Sequence, residues 1–158
     1  MLRAAVQTDT PGILALAVQT RMFLPTEVEP LQQEFDGFHA GLSGEGYGLE
    51  VWTDDLSGPP VGVVYFGPNR LSDRAWDLWM IAVAPDRQGQ GLGGQLLQAT
   101  ETRVRSGGGH LLIIETSSEE RFDSTHAFYI RHGYAEVGRI PDFYADGESK
   151  VIFSKRLT

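Results

Sequence analysis

Trp79-Met80-Ile81-Ala82-Val83-Ala84-Pro85-Asp86-Arg87-Gln88-Gly89-Gln90-Gly91-Leu92-Gly93-Gly94-Gln95-Leu96-Leu97 joins an apolar, strand-like run to a glycine cluster that opens a helix. Four glycines fall within six residues, Gly89 to Gly94. Lacking Cβ atoms, such a backbone comes within hydrogen-bonding distance of an anion and takes positive φ without penalty. A helix beginning near Gly91 adds unpaired N–H groups and the positive end of its dipole. The stretch reads as a pyrophosphate cradle that needs no lysine.

Gly89-x-Gly91-x-x-Gly94 also matches the dinucleotide-binding fingerprint, with Glu115 near the place of its ribose-binding acid. That turn leaves its strand directly into the first glycine, whereas Pro85, Asp86, Arg87 and Gln88 intervene here. Only 43 residues follow Glu115, too few for the further βα units of a doubly wound sheet. No Gly-Lys-Ser/Thr follows, so a P-loop does not fit. An idle connection would be a costly use of four glycines, since each gives up much chain entropy on folding.

Working outward, Leu2–Val6 reads as a strand, and Asp9-Thr10-Pro11 starts a helix with a capping residue before Pro. A second helix is expected over Thr26–Phe38, with Leu31, Phe35 and Phe38 on one face. Leu49–Thr53 and Val61–Phe66 read as antiparallel strands around a Gly-Pro turn, and Trp76–Val83 as the strand before the cradle. Gly107 to Gly109 stop the cradle helix, and His110–Thr116 is a buried strand parallel to Trp76–Val83. Asp123 or Ser124 can cap another helix that Gly133 ends. Tyr134–Ile140 and Lys150–Lys155 close as an antiparallel pair across a loop from Pro141 to Gly147.

Gln88-x-x-Gly91-x-Gly93, with the preceding strand and Val-x-Pro turn, resembles the acetyl-CoA signature of the GNAT superfamily of N-acetyltransferases. Ser124-Thr125-His126-Ala127-Phe128-Tyr129-Ile130-Arg131-His132-Gly133-Tyr134 resembles that family's second CoA-contacting helix. The likeness covers Ala75 to the C-terminus, and more loosely the whole chain. It implies one α/β (α+β) domain over residues 1–158: a mixed, mostly antiparallel sheet of about seven strands, helices on both faces, and a splay between strands 4 and 5. The implied reaction moves an acetyl group from acetyl-CoA to a primary amine by direct attack in a ternary complex. A non-catalytic acyl-CoA-binding regulatory module and, more remotely, a dinucleotide oxidoreductase are the alternatives.

By that resemblance Tyr129 is the acid that protonates the departing sulfur; a buried core aromatic is its plainer reading. Asp77 and Glu115 are candidate bases, Glu115 slightly preferred, because a carboxylate on the splay strands would be partly desolvated. Their plainer readings are solvent-facing alternation for Asp77 and pairing with Arg121 for Glu115. The cofactor is expected against Ile81, Ala82, Val83, Arg87, Gln88, Gly89, Gln90, Gly91, Leu92, Gly93, Gly94, Ser124 and Tyr129. A backbone N–H near Val83, at a bulge, would meet the oxyanion. Where the family commonly carries Asn, this chain has Asp123 and Ser124. The acceptor would enter opposite, near Phe23, Glu27, Phe35, Asp142, Phe143 and Tyr144.

Composition narrows the setting. At 158 residues with 41% hydrophobic content the chain suits one globular domain. The absence of cysteine removes disulfides, thiolate metal sites and a cysteine acyl-enzyme. Four histidines, none spaced i, i+4, give metal catalysis no support. A net charge of −8 disfavours nucleic acid and suits a small-molecule or peptide amine, though it also simply keeps a protein soluble. No run is long enough to span a membrane and no leader is evident, so a cytoplasmic location is expected. The exposed edges of such a sheet permit a homodimer.

Overall fold

The computed structural model describes all 158 residues. In chain order the elements are β1 (Leu2–Ala4), α1 (Thr10–Gln19), α2 (Val28–His39), β2 (Gly48–Trp52), β3 (Gly62–Pro68), β4 (Ala75–Val83), α3 (Leu92–Ser106), β5 (Leu111–Ser117), α4 (Asp123–Arg131), β6 (Ala135–Ala145) and β7 (Glu148–Arg156). The strands form one seven-stranded sheet in the order β1-β2-β3-β4-β5-β7-β6. Only β4 and β5 run parallel. A dinucleotide-binding sheet is thereby excluded, because it needs several parallel strands in succession.

Each face of the sheet buries its own apolar cluster. Leu96, Leu97 and Val104 of α3 and Tyr129 of α4 pack on Val64, Leu78, Leu112 and Phe153. On the other face Ile13 and Leu16 of α1 and Phe35 of α2 pack on Val51, Val63, Met80 and Ala82. Burying one such aliphatic side chain contributes about 1.5–3 kcal/mol, so the two clusters hold the helices against the sheet.

The alternation along β4 slips once. Trp76 and Leu78 face the α3 side, and so do Ile81 and Val83. Two residues of β4 therefore oppose one of β3: Tyr65 pairs with Met80 and Phe66 with Leu78, leaving Trp79 as a bulge. The bulge was expected near Val83 and lies four residues earlier.

Three local expectations change. Asp9 does not cap α1; its carboxylate accepts from the Val6 N–H at 2.8 Å and closes the 3₁₀ turn Gln7–Asp9, which also shortens β1. Neither Asp123 nor Ser124 caps α4 through its side chain, because a 3₁₀ turn, Glu120–Phe122, leads into the helix. The expected loop from Pro141 is strand as far as Ala145, and only Asp146 and Gly147 turn. As an edge strand with irregular register between Ile140 and Ala145, β6 tolerates a proline that donates no hydrogen bond.

Candidate active site

The pairing of β4 with β5 covers four positions, Ala75–Leu78 against Leu111–Ile114. Beyond them β4 stays with β3 as far as Val83 and β5 stays with β7 as far as Ser117. The two strands diverge, and their facing backbone edges are left open. Cavities of about 670 and 500 Å³ meet at this opening and share Met22, Ile81, Arg121, Phe122 and Thr125.

The open edge of β4 has a definite polarity. Ala84 N–H donates to Val61 O on the β3 side, so the N–H groups of Val83 and Ile81 point the opposite way, into the opening. The Gln88 side-chain amide donates to Val83 O at 2.9 Å and pins the following loop over the strand end.

That loop rims the smaller cavity with Gln88, Gly89, Gly91, Gly93 and Gly94, joined by Ile81, Ala82, Val83 and Ser124. Gly89 and Gly91 have φ of 73° and 82°, which a side chain would strain. At Gly94 a Cβ would lie 2.8 Å from His132 Nε2, so any side chain there would make the imidazole shift. No side chain caps α3, leaving the amides of its first turn free at the cavity rim. A cavity rimmed by free amides, with no Cβ at four of its positions, fits a phosphorylated carrier such as coenzyme A.

Other expected cofactor residues sit elsewhere. Arg87 forks onto the Asp54 carboxylate at 2.6 and 2.7 Å and does not line the cavity. Gln90 donates to Asp86 O at 3.1 Å and shapes the loop instead. The Leu92 side chain is buried in the α3 core. The cation that does reach this cavity without an ion-pair partner is Arg131, near the end of α4, which sequence reasoning missed.

The larger cavity holds the titratable groups. Tyr129 lines it from the α4 side, 3% exposed, and its hydroxyl has no hydrogen-bond partner in the chain. Burial pushes the phenol well above its ordinary value, so it keeps its proton at neutral pH. The same ring packs against Phe128, Tyr134 and Phe153, making it both a core aromatic and a cavity wall.

Asp77 lies level with Ile113 and opens on the same cavity. Desolvation raises its pKa most, with the nearby Glu115 charge adding to this, while a 3.0 Å hydrogen bond from Asn69 Nδ2 opposes it. Glu115 lines the cavity too, but its side chain is 47% exposed and ion-paired to Lys150 at 2.8 Å. The expected desolvation falls on Asp77, not on Glu115. Arg121 pairs with Glu119 at 2.5 Å and leaves Glu115 to Lys150.

Of the expected acceptor residues, Phe23, Glu27 and Tyr144 line the larger cavity. Phe35 is fully buried against Tyr65 and cannot touch an acceptor. Asp142 accepts from Gly147 N–H at 2.7 Å and closes the β6–β7 turn. Phe143 lies beneath Lys150 Nζ, 3.7 Å from its ring centroid. Both are off the cavity. Trp79, which the bulge leaves 42% exposed, adds an unexpected wall and stacks on Tyr47 with centroids 5.2 Å apart.

A splayed parallel pair with an amide cradle at one mouth and a carboxylate and phenol at the other defines an acyl-transfer cleft of the acetyl-CoA type. A sequence model of the Acetyltransferase (GNAT) domain matches residues 47–136, and the chain belongs to that family. Membership makes it an acetyltransferase with acetyl-CoA as donor. An aminoalkylphosphonate N-acetyltransferase of Salmonella typhimurium is 30% identical over 140 residues, 85% of this chain and 84% of that protein. A crystal structure described as a GNAT-family acetyltransferase from Desulfovibrio desulfuricans superposes with a TM-score of 0.92 at 30% identity, covering 100% of this chain and 99% of the other. A Salmonella typhimurium structure described as holding its cofactor acetyl-CoA shares the fold, with a TM-score of 0.75 at 17% identity over 100% of this chain and 94% of its own. No helix is long and apolar enough to cross a membrane.

Proposed function

We propose that this protein acetylates a primary amine by direct attack within a ternary complex, with Tyr129 as acid and Asp77 as base. The observation that carries this reading is that Asp77 and Tyr129 reach one cavity from opposite faces of the sheet, across the opening where β4 leaves β5. Acetyl-CoA supplies an activated acyl group as a thioester.

The chain's own groups account for the remaining steps. The free amides at the start of α3 and the Arg131 guanidinium hold the phosphates. Val83 and Ile81 N–H groups align the carrier arm as an added strand would, and a Val83 N–H aimed into the opening can stabilise a developing oxyanion. Asp77, its carboxylate made more basic by desolvation, takes a proton from the incoming ammonium or amine, directly or through one water. Tyr129 Oη holds a proton for the departing sulfur. With no cysteine in the chain, no thiol acyl-enzyme intervenes.

Thiol release from acetyl-CoA, followed with and without a panel of amines, tests the reading. Release that depends on an amine, with the acetylated amine identified by mass, supports it. Tight acetyl-CoA binding with no amine-dependent release would favour a non-catalytic carrier module.

A further inference from the structure

Five carboxylates reach the larger cavity: Glu27, Asp77, Glu115, Glu119 and Glu148. Two are neutralised, Glu115 by Lys150 and Glu119 by Arg121. The other three are held only by neutral donors. Glu27 accepts from Leu24 N–H at 2.6 Å, Glu148 from the Ser117 hydroxyl at 2.6 Å and Asp77 from the Asn69 amide at 3.0 Å. Each is therefore held in orientation with no cationic side chain of its own paired to it.

These groups come from separate parts of the chain: the turn before α2, strand β4 and the start of β7. No three acidic or histidine side chains come together in a way that could hold a metal ion. A single compact cation cannot satisfy them, whereas an extended molecule with spaced positive centres can. The wall between them is aromatic, with Phe23, Trp79 and Tyr144 exposing ring surface that attracts cationic nitrogen and alkyl spacer alike. The volume of about 670 Å³ suits such a ligand, since small-molecule sites usually measure roughly 300–1,000 Å³.

Resting on the proposed function above, we infer that the acceptor is a di- or polyamine: one amino group is acetylated beside Asp77 while a second, still protonated, is held by Glu27 or Glu148. In the transfer the reacting nitrogen, already a neutral amine after giving its ammonium proton to solvent, forms a bond to the acyl carbon and loses one proton to Asp77. The carbon–sulfur bond breaks, and the thiolate takes a proton from Tyr129. The second ammonium keeps its charge throughout. An aminoalkylphosphonate, the substrate class in the name of the Salmonella relative, would place its anion among these same carboxylates and is disfavoured.

The test compares spermidine, butylamine and 2-aminoethylphosphonate as acceptors for the 158-residue chain, alongside calorimetric binding of each without donor. Spermidine should exceed butylamine in kcat/KM by about tenfold or more, and the phosphonate by a wider margin. Raising salt should narrow the spermidine preference. In Glu27→Gln/Glu148→Gln the ratio of spermidine to butylamine should collapse, in binding as well as turnover. Equal or better use of the phosphonate, or a ratio unchanged in the double variant, overturns this inference and leaves amine acetylation standing. No thiol release with any of the three, despite acetyl-CoA binding, strikes the proposed function itself and this inference with it.

Discussion

Asp77 pairs laterally with Ile113 inside the last stretch where β4 and β5 touch, while Glu115 is the first residue of β5 beyond it. Two positions along β5 separate the level of a carboxylate that the sheet desolvates from one that solvent and Lys150 can reach. The proposal of Asp77 as base rests on that separation. Asp77→Asn should lower kcat by about 10²- to 10⁴-fold, the range for a lost general base, whereas Glu115→Gln should cost far less. Steady-state kinetics on the two variants would separate them.

The pH dependence has a fixed sign. A base must be ionised to accept a proton, so kcat/KM should fall as pH drops through the raised pKa of Asp77, and Asp77→Asn should lose that limb. The same shift bears on stability. A carboxyl whose folded pKa is raised binds protons more readily in the native state, so its ionised form is a liability above that value. Asp77→Asn should therefore raise Tm at neutral pH, checked by thermal melts across a pH series.

Asp9 carries the opposite sign. Arg3 grips it at 2.7 and 2.8 Å and holds its carboxyl below the usual range, despite opposing desolvation. That stability is present above the ordinary Asp value near 3.9 and is lost as pH falls toward the lowered one. Because Arg3 is partly exposed, Asp9→Asn should cost about 1–3 kcal/mol at neutral pH, measured by urea unfolding.

Arginine placement gives a sharp contrast. Arg87 is committed to Asp54, whereas Arg131 reaches the cofactor cavity free of an ion pair. Arg131→Ala should weaken acetyl-CoA binding by about three- to tenfold, and Arg87→Ala should leave it within about twofold. Calorimetric titration of both variants checks this.

The legible parts of the molecule were those written in local residues. Gln88 to Gly94 could be read because positive φ and close approach demand glycine at particular positions. The parallel pair followed from apolar runs either side of a helix. The bulge at Trp79 left no such mark, since it arises from how β3 and β4 settle their register, and with it a wall of the acceptor cavity went unread. Arg87 is expected against the cofactor from its place in the sequence, yet Asp54, thirty-three residues earlier, claims it. Phe35 is expected near the acceptor, yet its place on the apolar face of α2 sends it into the core. The acceptor side as a whole is assembled from α1–α2, β4, β5 and the β6–β7 hairpin, and only their packing brings those residues together.

The assignment of Tyr129 as acid rests on a buried hydroxyl with no partner except the cavity. Single-turnover thiol release in Tyr129→Phe, measured beside the calorimetric Kd for acetyl-CoA, tests it most directly. The rate should fall by about 10²-fold or more while Kd stays within about threefold, because the ring and its packing are retained. An undiminished rate, or a parallel loss of binding and turnover, would contradict a proton-donating role and reduce Tyr129 to a core aromatic.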